Sequence, residues 1–439
     1  MNRRVLGGLA AGSLLGGALA VAFKPSFYPP YDESVGYVNI AKGIGRWVPS
    51  YYAGRVLHPL FVRLLAIVFR VPIDARLFVW ASAIALTVFF ACLGVSYATE
   101  SFSTPRLWLL LAATAAIVDP YRNYYWHDLF YAALCALFFL ALRANWWLSL
   151  PFVFLLYITR ESTIVLVVAL VTLAALRRRW AFCFSALAAG LAGLLVEGSL
   201  VRRAVPNNHG IPMAFVDVLK IPYNFALNIF GLEFWANTNA ATTPPPHWIA
   251  KLPAWLPLGN IHEMGFSGFL WDQPLRTLLV LSTAFGVLPL IVIRAARRGW
   301  GRLLFGRFEL ALACVYGALM FVLTPLQGTT PARYVLYAWP LFWLFGVAGL
   351  EGVIPERGRR IAIVALSVCA AWTPAIVRLA MTRSIPQGPE SFSDVSNTGL
   401  LISLALVGAI YAFAWRITGS GALEIEDAGL EGPGATSKP

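Results

Sequence analysis

The chain has 439 residues, 59% of them hydrophobic and 13% charged, and its 34 Lys and Arg exceed its 21 Asp and Glu by 13. A soluble domain is roughly 45 to 50% apolar, and here the excess comes in blocks of about 18 residues or more, which excludes a soluble globular enzyme. The positive charge lies in short Arg clusters between apolar blocks rather than along one basic stripe, which excludes a nucleic-acid binder.

In chain order the blocks predict an all-α polytopic membrane protein of about twelve transmembrane helices. They lie near 5–23, 76–98, 106–119, 126–142, 146–158, 161–176, 180–200, 277–295, 308–325, 334–350, 360–377 and 398–416. In hydrocarbon every backbone polar group must be satisfied inside its own segment, so a run of this kind reads as a helix. The fifth and sixth are short and read as a shallow or re-entrant pair. The first block, with Arg3, Arg4 and Ala18-Leu19-Ala20, has two readings, an uncleaved anchor, which we favour, and a cleavable signal peptide. Residues 1–416 form one transmembrane domain, and 417–439 read as a disordered acidic cytoplasmic tail. The five cysteines sit in apolar blocks without CxxC spacing, so neither a disulfide nor a zinc site is expected.

Orientation follows from the short loops. Arg3 and Arg4, Arg143, Arg177 to Arg179, Arg294 to Arg302 and Arg357 to Arg360 fall on one side if the helices alternate, and that side reads as cytoplasmic, with both termini. All five histidines then fall on the outer side.

Five outer constellations could carry chemistry. Tyr28, Tyr31, Asp32, Glu33 and Tyr37 follow the first span closely; two adjacent carboxylates near a membrane repel each other, which suits one to act as a base. The competing reading makes Asp32 and Glu33 caps of a helix through Ile44. Gly54-Arg55-Val56-Leu57-His58-Pro59 leads into an amphipathic stretch, Leu60 to Val71, that should lie in the interface plane. Arg55 there could meet a phosphate or serve only as an anchor. An outer turn from Asp119 to Asp128 ends in His127 and Asp128 at the mouth of an apolar helix, where polar groups tend to face a cavity or a partner. Arg160 and Glu161 lie between the two shortest spans, as a self-compensating pair or as part of a site. Arg333 and Tyr334 open a late helix, where a lone Arg could snorkel or neutralise a lipid phosphate. A long outer segment, 201–276, is too aromatic to stay in water and should pack on the bundle, with Asn224, Asn228, Asn237, His247, His262 and Glu263 as cavity-lining candidates.

Together these residues resemble integral-membrane glycosyltransferases of the GT-C superfamily, the acidic pair being most similar to that of the mannosyltransferase-type members. The resemblance covers the whole chain as an architecture through short motifs, and the compact 201–276 segment departs from members with a large soluble domain. It implies inverting transfer of a sugar, hexosyl or pentosyl, from a polyprenyl-phosphate-linked donor to a lipid or glycan hydroxyl at the outer face of a bacterial inner membrane. Asp32 would be the base and Glu33 an orienting acid. Arg333, Arg160 and Arg55 would hold the donor phosphate, and Tyr37, His58, His127, Asp128, Glu161, Tyr334, His262 and Glu263 would line the substrate cavity. No cofactor is certain, with Mg or Mn open. Two other classes stay open: a transporter or lipid flippase, and another lipid-linked glycan polymerase or ligase.

Overall fold

A computed structural model describes residues 2–30, 33–44, 54–203, 213–237, 263–297, 306–328, 331–383 and 394–419; for residues 33, 201–203, 213–220, 234–237 and 263–267 it describes the backbone. Helix α1 (Arg3–Ala22) is followed by α2 (Glu33–Lys42), α3 (Leu57–Phe69), α4 (Ala75–Thr99), α5 (Arg106–Leu111), α6 (Thr114–Arg122), α7 (Asp128–Ala144), α8 (Leu150–Tyr157), α9 (Thr163–Leu176), α10 (Trp180–Arg203) and α11 (Met213–Phe230). After strands β1 (Leu232–Asn237) and β2 (Glu263–Phe269) come α12 (Asp272–Thr283), α13 (Leu288–Arg297), α14 (Phe308–Gln327), a composite helix α15 (Pro331–Val353), α16 (Arg357–Thr382) and α17 (Asn397–Gly419).

Seven of these helices are long and apolar enough to cross a membrane, or eight if one bent pair counts as a span. The protein is therefore a helical, polytopic membrane protein. Each of the twelve expected blocks is helical, but several are broken. The block at 106–119 divides into α5 and α6. The block at 277–295 divides into α12 and α13, which meet at 70°. Gly286 sits in that bend with φ +55°, and a Cβ there would run into the backbone of Ser367, so only glycine admits this approach. The pair expected at 146–176 consists of a short 3-10 turn with α8, and α9; at about 1.5 Å per residue neither spans a core of about 30 Å.

Helix α1 is bound into the bundle by a ladder that the hydropathy reading overlooked. Gly8, Gly12 and Gly16, four residues apart, lie against Gly94, Phe90 and Thr87 of α4. Small residues at this spacing let two helix backbones approach closely, as in small-xxx-small membrane contacts. Helix α4 itself begins on Asp74, whose side chain accepts from the Arg76 and Leu77 N–H groups at 2.9 and 3.3 Å.

The expected interfacial helix is α3, which starts three residues earlier than its pattern suggested and ends at Arg70 in the left-handed region. It packs on α2 and α4, and Tyr37, Val62 and Phe78 belong to one buried apolar cluster. Two strands were not expected in the outer segment: β1 and β2 pair antiparallel, Asn237 opposite Glu263. Asn224 and Asn228, expected as cavity residues, are buried and donate to carbonyls at the end of α14. Helix α14 ends at Gln327, which leaves its last carbonyls without intrahelical donors, and Asn224 donates to Leu326 O at 3.0 Å while Asn228 donates to the Pro325 and Gly328 carbonyls at 2.8 Å. Gln273 donates to the Asn228 Oδ1 at 2.8 Å.

At one end of the bundle Glu100 accepts from Arg143 and Arg307 at 2.7 Å, and Arg307 also holds Glu309 at 2.6 Å. Glu351 accepts from the Ser103 N–H and hydroxyl at 2.6 and 2.8 Å, and Arg360 donates to the Thr104 hydroxyl at 3.0 Å. Arg179 lies 4.1 Å over the Trp146 ring. Arg143, Arg179 and Arg360, three of the loop arginines assigned to one face, lie at this end.

Candidate functional site

At the other end three interruptions in helical structure are brought together. The first is the 54–56 stretch before α3. The Val56 and Leu57 N–H groups donate to the Ile158 carbonyl at 3.1 and 3.4 Å, which pins this stretch to the break between α8 and α9. A Cβ at Gly54 would lie 2.6 Å from Cγ of Glu197, so the stretch also runs close against the Glu197 side chain. The second is that break itself, 158–162, held by the Arg160 N–H donating to Leu156 O at 2.9 Å. The third is the first turn of α15, opened by Pro331, a residue preorganised for a helix start.

These contacts place Arg55 against Glu161, with Arg55 Nε donating to Oε2 at 3.0 Å and Nη2 to Oε1 in a bidentate pair. Arg55 Nη1 also donates to the Tyr37 hydroxyl at 3.3 Å. Arg160 and Glu161 are thus not a self-compensating pair. Adjacent in the break, they turn to different partners.

Arg160 goes to Asp128, the first residue of α7. Asp128 is 1% exposed. Its Oδ1 accepts from Arg160 Nη1 and from the Tyr337 hydroxyl, and its Oδ2 from Arg333 Nε at 2.6 Å. Two guanidiniums therefore share one buried carboxylate. Arg160 Nη1 also lies 2.9 Å from His127 Nε2, and the His127 ring meets Tyr37 edge-on at 5.5 Å. The guanidiniums are stacked as well: Arg333 over Trp126 at 4.2 Å, and Arg160 over Tyr337 and Tyr334 at 4.5 and 5.1 Å. Such faces hold a desolvated cation in place while leaving N–H edges to donate.

Behind the charges lies a buried hydroxyl set. Thr163 donates to the Arg160 carbonyl at 2.7 Å, and Tyr131 lies 3.2 Å from Tyr316. Glu161 is half-buried. Burial alone would raise the Glu161 carboxyl, but Arg55 and Arg160 outweigh it and hold it well below the usual carboxylate range.

Most residues nominated from the sequence meet here: Arg55, Arg160, Arg333, Tyr37, His127, Asp128, Glu161 and Tyr334 form one connected set. His58 stands apart. It is buried against the Phe78 and Phe130 rings at 5.6 and 5.4 Å, with neither nitrogen hydrogen-bonded among the described residues, and burial lowers it to about 4 despite an opposing pull from Asp128. Asp32 and His262 lie outside the described residues, as does the side chain of Glu263. Glu33 opens α2, so Tyr37 follows it by one helical turn. Sequence reasoning missed Tyr337, which was read as ordinary helix interior; its spacing of four from Arg333 was the available signal.

No protein-family model matches the chain, and no curated protein and no solved structure matches it either.

Proposed function

We propose that this protein is a GT-C-like, inverting membrane glycosyltransferase that moves a sugar from a polyprenyl-phosphate donor to a lipid or glycan hydroxyl at the outer face of a bacterial inner membrane. The observation that carries the reading is the convergence of Arg55, Arg160 and Arg333, from three distant parts of the chain, on one buried network around Asp128. A protein does not gather guanidiniums in a low-dielectric site cheaply, and an anionic lipid donor gives them a use.

In the proposed step the Asp32 carboxylate takes the proton of the acceptor hydroxyl as its oxygen attacks C1 of the sugar from the face opposite the phosphate. The C1–O bond to phosphate breaks, its electron pair stays on the phosphate oxygen, and polyprenyl phosphate leaves with the sugar configuration inverted. Negative charge on that oxygen grows through the transition state, so fixed guanidiniums favour the transition state over the ground state. Asp128 is a positioning group: three donors occupy its oxygens, and it holds Arg160 and Arg333 in place. Glu161 does the same for Arg55. Glu33 would orient the acceptor. Among the described residues no three His, Cys, Asp or Glu side chains gather to hold a metal ion, and no step here is routed through Mg or Mn.

The test uses membranes carrying the wild type or Asp32→Ala, supplied with polyprenyl-phosphate hexoses and pentoses labelled in the sugar. Transfer to a lipid or glycan fraction should fall by about 10²-fold or more in the variant. Equal transfer by both removes the assigned base. A flippase, whose reading draws on the 70° break between α12 and α13, would instead relocate labelled donor with its sugar still attached.

A further inference from the structure

Arginines at the Arg143 end of the bundle have partners within the protein. Arg143 and Arg307 share Glu100, Arg307 also holds Glu309, and Arg360 donates to the Ile354 carbonyl at 2.7 Å. The turn that joins α9 to α10 differs. It carries three consecutive arginines, Arg177 to Arg179, and their N–H groups donate to the Leu173, Ala175 and Ala174 carbonyls at 3.1, 2.8 and 2.9 Å. The backbone thus caps α9 by itself, and the guanidiniums are not consumed there. Arg178 and Arg179 are exposed, and among the described residues their side chains have neither a hydrogen bond nor an ion pair.

Two of the three cations are nonetheless held in place. Arg177 lies 5.1 Å over the Phe308 ring and Arg179 4.1 Å over Trp146, and these two rings stack on each other at 4.0 Å. A guanidinium resting on a ring face keeps its N–H edge for a bidentate partner such as a phosphate. Glu309 attracts Arg177 but is already paired with Arg307, so the turn keeps an excess of positive charge. Beside Trp146 and the turn in sequence, Trp147, Leu148, Leu176, Trp180 and Phe184 are each more than half exposed. Large apolar side chains next to a run of cations mark the level at which hydrocarbon gives way to headgroups.

We propose that the 177–179 turn, with Trp146 and Trp180 on either side, is a binding site for an anionic phospholipid, whose phosphodiester is held by Arg178 and Arg179 and whose acyl chains lie on Trp147, Trp180 and Phe184. The site stands apart from the network around Asp128 and does not depend on the function proposed for it. It selects a headgroup without a cation of its own, because a choline ammonium would be set against three guanidiniums.

Purified protein in detergent would be given equal amounts of dioleoylphosphatidylglycerol and dioleoylphosphatidylcholine, and the retained lipid counted by native mass spectrometry. A cation at a membrane surface contributes about fivefold to affinity for an anionic lipid. The wild type should therefore prefer phosphatidylglycerol by about tenfold or more, and Arg178→Ala combined with Arg179→Ala should bring the ratio to within about twofold of one. Arg3→Ala combined with Arg4→Ala removes the same charge from exposed positions at the same end and should leave the preference standing. Equal loss in both double variants reduces the effect to a general attraction between cations and lipid and overturns the site, as does a wild type without preference. Trp146→Leu keeps every charge and should lower the preference about threefold or more by removing the surface under Arg179; an unchanged ratio overturns the stacked arrangement as the basis of selection. If that variant is not recovered folded, the exposed arginine pair decides by itself. Glycerophosphoglycerol, the same headgroup without chains, should not displace the lipid at equal concentration, and displacement would overturn the lipid as the ligand.

Discussion

The two ends of helix α7 carry two charge clusters of opposite character. Asp128 opens the helix and Arg143 closes it, about 22 Å apart at 1.5 Å per residue. At the Arg143 end, two arginines face two glutamates, Glu100 and Glu309, and the side chains are 17 to 36% exposed. At the Asp128 end, two guanidiniums crowd one carboxylate, and Asp128, Arg160 and Arg333 are at most 8% exposed. The first cluster is matched and wet, a staple that ties helix ends together. The second is stacked on aromatic rings and almost dry. Similar residue types are evenly matched and partly exposed at one end and buried with an excess of cations at the other, and what separates them is solvent.

That contrast can be broken most strongly at Asp128. Asp128→Ala leaves two buried guanidiniums uncompensated, which should cost about 3 to 5 kcal/mol; the yield of monodisperse protein and its melting temperature in detergent will read this, and near-normal melting would show the cluster to be more solvated than described. Next in size is Arg333→Lys. A lysine cannot both bond Asp128 and stack on Trp126 as the planar fork does, so donor-dependent transfer should fall about 10²-fold while the protein remains folded. Unchanged donor kinetics would remove Arg333 from phosphate binding.

Histidine 58 tests the same end through pH. Its folded value is about 4 against 6.5 for a free imidazole, so the folded state keeps it neutral where the unfolded chain takes up a proton. The stabilising difference is present above about pH 6.5 and is lost as pH falls towards 4, with a slope of at most about 1.4 kcal/mol per pH unit. His58→Phe should flatten the melting profile across that window, and an unchanged slope would show that His58 is hydrated in the native state.

The smallest effect belongs to the staple. Burial pushes the Glu100 carboxyl up, but Arg307 and Arg143 pull it down further, so its folded value lies below 4.5. Its contribution is present above pH 4.5 and fades as pH falls through the lowered value. Glu100→Gln should therefore cost about 1 kcal/mol or less at neutral pH, and melting temperatures of wild type and variant should converge in acid. Added salt should shrink this difference far more than the one at Asp128.

The helical blocks were legible because a bilayer leaves a chain few options, and a run of Leu, Val, Ala and Phe is readable without knowing its neighbours. The breaks were less legible. The 70° bend at 284–287 depends on Gly286 meeting Ser367, a contact between residues 81 positions apart. Asn224 and Asn228 looked like cavity residues because an Asn in an aromatic segment gives no sign of which distant carbonyl it serves. Their partners are carbonyls at the C-terminal end of α14, visible only once α11 lies beside it. The site was half legible. Polar residues at the mouths of apolar helices are costly and so attract notice, which found Arg55, Asp128, Arg160, Glu161 and Arg333. Their pairing was left open, since adjacency allowed Arg160 with Glu161 as well as a shared site.

By itself the sequence determined that this is a membrane protein and which of its charged residues were too expensive to be incidental, because the cost of leaving water is a property of each residue and its local run. Only the tertiary structure decided who pairs with whom. Hydrogen bonds are short and directional, and whether a carboxylate meets one guanidinium in solvent or two in the dry interior depends on where distant helices break.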